Sequence, residues 1–252
     1  MTNAKNPVIT EEKIDTERRR LLASGGAMAI ASGVILYGAG ASAREKGQAA
    51  TSAQRWGMLI DTTADKSDWD TAVSACKREQ GWGGGNNPAT DPQWIRTVSI
   101  KNKTTGAEAT LPVMCQHCAN PPCVDVCPTG ASMQRADGIV LVDKHICIGC
   151  RYCMMACPFS ARSFVHEPVH NQRPHMPRGM GTVESCTMCV HRVDNGQQPA
   201  CVEALEAKGS KAIIFGDLND PDSEISRAVS AHVTRRIRED LGVEPGVHYK
   251  GI

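Results

Sequence analysis

The stretch Cys115-Gln116-His117-Cys118-Ala119-Asn120-Pro121-Pro122-Cys123-Val124-Asp125-Val126-Cys127-Pro128 decides how this chain folds. Its echo is Cys147-Ile148-Gly149-Cys150-Arg151-Tyr152-Cys153-Met154-Met155-Ala156-Cys157-Pro158. A cubic [4Fe–4S] cluster needs four thiolates aimed at alternate corners, so three come from one tight loop and the fourth from elsewhere. Cys-x2-Cys-x2-Cys wraps the chain about three irons and leaves loop N–H groups free to face the sulfides. Those N–H groups and the local burial tune the potential, over roughly −700 to +450 mV across cluster types. Pro128 and Pro158 turn the chain away and donate no hydrogen bond.

Working outward, a truncated run follows: Cys186, Cys189 and Cys201, with Leu205 where a fourth cysteine is expected. Cys76 stands alone upstream, completing the twelve cysteines of the chain. In two-cluster arrangements of this type the fourth cysteine of one run ligates the cluster of its partner run. An incomplete run and one distant cysteine can therefore still close a cluster, and twelve thiols divide into three sets of four. Zinc also takes Cys-x2-Cys pairs, but two such runs in succession are not what zinc ribbons use. A disulfide framework is the other alternative, and cysteines only two residues apart rarely form structural bridges.

The N-terminus carries Arg18-Arg19-Arg20-Leu21-Leu22, a mildly apolar Gly/Ala/Ser-rich stretch from Ala23 to Gly40, and the small-x-small sequence Ala41-Ser42-Ala43. This resembles a twin-arginine signal peptide over 1–43, a route for folded cargo, and predicts a periplasmic protein. A cluster is assembled where iron and sulfide are supplied, so folding before export suits the cysteines. The stretch is also nearly long enough to serve as a retained anchor. A net charge of +1 gives no electrostatic case for nucleic acid. Aromatics are only 4% of the chain, so bound clusters are expected to organise much of the core.

The expected fold class is α+β: tandem bacterial-type 4Fe–4S ferredoxin-like modules with short strands, short helices and long loops. Strands are expected at 94–100, within a segment 77–110 otherwise read as irregular, and at 110–114, 138–142 and 212–215. Ile225, Val229, Val233 and Ile237 at four-residue steps predict one helix over 223–241, stopped by Gly242.

At Cys115–Cys123, Cys147–Cys153, Pro199-Ala200-Cys201-Val202-Glu203 and Phe215–Pro221, the chain resembles the multi-cluster electron-transfer subunits of quinone-linked respiratory enzymes. These are the iron–sulfur subunits of the polysulfide- and dimethylsulfoxide-reductase type, and the resemblance covers roughly 60–252. That family has four runs, the first pairing with the last and the middle two with each other. Here the first run is eroded, since the positions before Cys76 carry Ala72, Trp69 and Lys66. The lost fourth ligand at Leu205 belongs to the same missing cluster.

The resemblance therefore implies three [4Fe–4S] clusters: Cys115, Cys118, Cys123 and Cys157; Cys147, Cys150, Cys153 and Cys127; and Cys76, Cys186, Cys189 and Cys201. Trp69 and Leu205 are expected to fill the vacated site. Segments 44–114, 115–165 and 166–252 would hold the eroded run, a two-cluster module, and the third-cluster run with a strand and helix region. Three clusters behind a twin-arginine signal resemble DsrO-type subunits of dissimilatory sulfur metabolism. That likeness implies as partners an NrfD-type quinone-interacting membrane subunit (DsrP-like) and a multihaem cytochrome c (DsrJ-like). The alternative is the electron-transfer subunit of a molybdopterin oxidoreductase.

Of the histidines, His117 is expected to pack its loop. His166, His170 and His175 lie in a Pro/Arg-rich stretch, 166–180, read as a docking surface or solvated insertion ahead of a metal site. Arg151 and Arg162 stand beside the runs, where their charge could raise potentials. No substrate site is legible, and Gly83-Gly84-Gly85 lacks the strand-to-helix context of a phosphate loop.

Overall fold

The computed structural model describes residues 49–83, 90–101, 103–104, 106, 108–170 and 172–252. The signal-like segment 1–43 and Gly84-Gly85 lie outside them. The described residues fall within one compact unit, Gly40–Ile252, and no helix among them is long and apolar enough to cross a membrane.

The fold is α+β, built from short elements around the cysteine loops. Strand β1 (Trp56–Asp61) is nearly wholly buried and sits inside a four-stranded sheet ordered β8-β1-β10-β9. It pairs antiparallel with β8 (Ile213–Asp217) and parallel with β10 (Val247–Lys250), placing Met58 opposite both Phe215 and Val247. β9 (Thr234–Arg235) closes the far edge against β10. Gly57 is required here, because a Cβ would lie 2.4 Å from Leu218 Cδ1 and 2.5 Å from the Gly246 carbonyl. The sheet thus ties the segment before the cysteine loops to the segments after them.

Helix α1 (Lys66–Gln80) packs against α5 (Ala200–Ala207). Its buried face is Trp69, Ala72, Ala75 and Cys76, and Gly81 ends it in a left-handed conformation, donating to the Lys77 carbonyl. Asp68 joins the two helices' ends by accepting from Lys208 Nζ and, at 2.7 Å, from Ser210 Oγ. A hairpin of β2 (Ile95–Lys101) and β3 (Glu108–Met114) runs in register from Ile95↔Met114 to Lys101↔Glu108. The first run then contains α2 (Pro122–Asp125) and leads into the β4–β5 ribbon (Ser132–Gln134, Val140–Val142). The second contains α3 (Tyr152–Ala156) and leads into β6 (Ser163–Phe164), which pairs with β7 (Val183–Glu184) ahead of the truncated run and α4 (Val190–Val193).

Two expectations need correction. The helix expected over 223–241 is only α6, Glu224–Ala231, capped by Ser223 accepting from Ser226 N. Beyond it the β-branched pair Val233-Thr234 turns to extended backbone so that β9 can pair with β10, leaving Val233 84% exposed. Sheet pairing overrides the four-residue periodicity. The expected strand at 94–100 is β2, but the segment 77–110 is otherwise more ordered than expected, because α1 extends to Gln80 and β3 already begins at Glu108.

Candidate metal centres

The Cys-x2-Cys loop that opens each run uses one backbone device. The residue before the second cysteine is left-handed: His117 (φ 44°), Gly149 (φ 69°) and Met188 (φ 53°). A left-handed residue reverses the chain within one step and turns successive N–H groups toward a common concavity, a shape suited to an anion. The third residue after the fourth cysteine of each intact run is also left-handed, Gly130 (φ 69°) and Ser160 (φ 47°). There each N–H bonds back to its cysteine carbonyl, Gly130 to Cys127 at 3.3 Å and Ser160 to Cys157 at 3.1 Å. The two intact runs are thus one structural unit used twice.

The thiols lie within electrostatic reach of one another, and Cys123 senses both Cys157 and Cys153. Cys115 lies in the electrostatic reach of Cys123 and Cys157, and Cys118 in that of Cys115, Cys123 and Cys157. Cys153 lies within that of Cys147 and Cys127. Cys76, brought in by α1, meets Cys201 and Cys189, while Cys186 meets Cys76, Cys189 and Cys201. Cys150, next to α3, is the one exposed cysteine of the twelve, and none is in a disulfide.

N–H groups point at several sulfurs. Ser132 N donates to Cys127 Sγ (3.3 Å), Ala161 N to Cys157 Sγ (3.5 Å) and Met188 N to Cys186 Sγ (3.4 Å). Side chains add more: Trp82 Nε1 to Cys76 (3.1 Å), Gln80 Nε2 to Cys189 (3.2 Å) and Arg162 Nη2 to Cys123 (3.1 Å). Burial pushes the thiols of Cys115, Cys118 and Cys201 up to about 12, and those of Cys76 and Cys186 well above their usual value. At Cys127 burial also works upward, but hydrogen bonds from Ser132 and Thr129 outweigh it and lower the value. Deeply buried thiols gain from ionising only beside a metal's positive charge, while four of these donors already face buried sulfurs.

These features fit iron–sulfur clusters better than zinc. With Zn–S of about 2.3 Å, a tetrahedral zinc draws its sulfurs to within about 4 Å of one another. Among the described residues no three cysteine sulfurs gather within 4.8 Å. A cube carrying a metal at each bound corner needs the wider spacing. The buried Arg162 Nε and Nη1 and His117 Nε2, which lack protein partners, are compatible with sulfides in the interior.

Three of the residues at positions where the resemblance implied lost cysteines are packed. Trp69, Ala72 and Leu205 are wholly buried, and Trp69 Nε1 donates to the Thr110 carbonyl at 3.0 Å. His117 is packed, its Nδ1 accepting from Val140 N at 3.0 Å, and burial with Arg55 and Arg162 nearby lowers its pKa to about 3. His166 and His170 are exposed. His175 reaches back to α1, its Nε2 3.0 Å from the Glu79 carbonyl oxygen, while His191 Nε2 lies 2.7 Å from Glu79 Oε1. Glu79, His175 and His191 bring ligand atoms within 4.8 Å, but the two imidazoles stack with centroids 4.0 Å apart. Rings bound to one ion fan outward, and Glu79 Oε2 is already engaged by Arg192. The group acts as a tie holding the insertion on α1.

That insertion is anchored further by the buried Arg178, bidentate to Glu184 at 2.8 and 2.9 Å and bonded to the Gly81 carbonyl. Sequence reading missed Gln80, Trp82, Glu79 and Arg178. The first two lie four and six residues after Cys76, and that closeness in the chain was the available signal.

Comparison with known proteins agrees with this chemistry. Residues 107–217 match the 4Fe-4S dicluster domain family. The Hdr-like menaquinol oxidoreductase iron–sulfur subunit 1 of Archaeoglobus fulgidus is 39% identical over 223 residues, covering 78% of this chain and 83% of that protein. The arsenate respiratory reductase iron–sulfur subunit of Shewanella sp. (strain ANA-3) is 34% identical over 77% of this chain and 95% of its own length. A tetrathionate reductase subunit of Salmonella typhimurium is 42% identical over 56% of this chain and 52% of itself.

Proposed function

The chain belongs to the family of 4Fe–4S iron–sulfur electron-transfer subunits of oxidoreductases, and we propose that within it this is a three-cluster, DsrO-like periplasmic relay. In this reading the ligand sets are Cys115, Cys118, Cys123 and Cys157; Cys147, Cys150, Cys153 and Cys127; and Cys76, Cys186, Cys189 and Cys201. Each bound cluster supplies one-electron uptake and release. The protein holds the clusters, tunes them with N–H donors and excludes water from most of their thiolates. It carries electrons between an NrfD-type quinone-interacting membrane subunit (DsrP-like) and a multihaem cytochrome c (DsrJ-like), in dissimilatory sulfur metabolism. Export would follow the twin-arginine route, carrying the folded protein.

The observation that supports this most is the approach of Cys76, on a helix far from the other runs, to Cys186, Cys189 and Cys201. A further support is the apolar rim around the one exposed thiol. Ile148, Tyr152 and Met155 are 67, 58 and 82% exposed beside Cys150, a surface suited to a redox partner that covers it. Iron analysis of the native protein tests the count: about twelve irons per chain are expected, and about sixteen would refute it.

The second reading is the electron-transfer subunit of a molybdopterin oxidoreductase, favoured by the likeness to the arsenate and tetrathionate reductase subunits. Purifying the native complex separates the two. Co-purified haem without molybdenum supports the first, and molybdenum on a companion chain supports the second.

A further inference from the structure

Arg162 is a buried cation, 5% exposed, at the point where the second run passes into β6. Burying a guanidinium is costly unless it meets an anion. No carboxylate is paired with it among the described residues. The negative groups around it are the thiols of Cys123, Cys115 and Cys153. Its Nη2 donates to Cys123 Sγ at 3.1 Å, and the Cys153 thiol lies within the same guanidinium's electrostatic reach. Cys123 stands among Cys115, Cys118 and Cys157, whereas Cys153 stands with Cys147 and Cys127. One side chain therefore bonds a thiol of one central set and faces a thiol of the other. Its Nε and Nη1 find no acceptor in the protein, leaving N–H groups free to face further negative charge.

The duplicated unit makes this position informative. Counting five residues from the fourth cysteine of each run gives Arg162 in the second and Ser132 in the first. The cation is present once, at the boundary between the two units. The third set differs again. It receives neutral donors, Gln80 and Trp82, and the nearby Arg192 is committed to Glu79 and Glu203. Lys144 lies near Cys147 and the Glu184 carboxylate, so its charge bears on one central set and not on both.

We propose that Arg162 is a shared positioning charge that raises the reduction potentials of both central clusters together. Adding an electron to either cluster adds one negative charge, with no bond made or broken. A guanidinium bonded to a thiolate of one set and facing a thiolate of the other stabilises the reduced form of both. It also offsets the repulsion that a second electron meets when the neighbouring cluster is already reduced. The inference rests on the three-cluster reading above.

The test is a redox titration of the full-length, cluster-loaded protein with a chemical reductant, followed by electron paramagnetic resonance. Wild type, Arg162→Gln and Arg162→Lys are compared, with iron counted on the same samples. In Arg162→Gln the reduced-to-oxidised ratio of both central clusters at fixed potential should fall at least tenfold, about 59 mV for a one-electron couple. The third cluster should not move. Arg162→Lys, which keeps the charge but loses the planar fork, should shift the same two clusters by less, and it decides the matter if the Gln variant fails to hold iron. A shift confined to one central cluster, an equal shift in all three, or no shift in a fully loaded variant would overturn the proposal. A wild-type iron count far from about twelve would instead refute the three-cluster reading.

Discussion

His117, Gly149 and Met188 occupy equivalent left-handed positions, yet only one is glycine. Left-handed backbone costs an ordinary residue roughly 1–2 kcal/mol, which the loops containing His117 and Met188 sustain. Gly149 carries a second constraint, because a Cβ there would lie 2.1 Å from the Gly181 carbonyl oxygen. Gly149→Ala should therefore displace the backbone and deplete the cluster of the Cys147 set, read as lost iron and a lower melting temperature. The same change at a position needing only positive φ would be milder. Cys76→Ala should remove one cluster, with iron falling from about twelve to about eight per chain and one paramagnetic signal disappearing. Retention of all signals would show that another atom caps that iron. The cysteine spacings were readable because ligand geometry is local. Gln80, Trp82 and Arg162 as sulfur donors were not, since a hydrogen bond to sulfur depends on how separate loops meet.

At the scale of elements, α1 and α5 together present Cys76 and Cys201. Their tie is Asp68, whose carboxyl is held below its usual value by hydrogen bonds from Lys208 and then Ser210, against burial. An acid with a lowered folded pKa stabilises above its unfolded value and loses that contribution as pH falls through the folded one. Asp68→Asn should thus cost about 1 kcal/mol or less near neutrality, given the exposed lysine. The difference in denaturation midpoint from wild type should close as pH drops below the carboxylate range, and a constant gap would refute it. Leu205→Cys should add no iron, since Trp69 and Ala72 now occupy the opposing positions. Strands β2, β3, β5 and β8 were legible from alternation. α1 was not, because its buried face is two alanines, a tryptophan and a cysteine among charges. β1 escaped notice because it is buried on both faces and shows no alternation, and β9 and β10 because they are only two and four residues long.

For the whole molecule, the cysteines and the sheet share one apolar core: Trp56, Ile60, Val247 and Tyr249 belong to the same buried cluster as Cys76, Cys115 and Cys186. Loss of visible cluster absorption on heating should therefore coincide with loss of far-ultraviolet dichroism. A sheet that outlasted the clusters by many degrees would show two independent units. The first cysteine loop is also stitched to the far end of the chain. Gly246 N donates to the Gln116 carbonyl at 2.8 Å and Ala119 N to the Glu244 carbonyl at 2.9 Å. Tyr249 Oη accepts from Gln116 Nε2 and donates to the Pro112 carbonyl, both at 3.1 Å. A ribosome still translating residue 241 has therefore produced every thiol but not the strand that braces Cys115 and Cys118. Iron delivery to that loop should wait until residues 244–249 have been made, and a chain cut after Leu241 should emerge without its first central cluster.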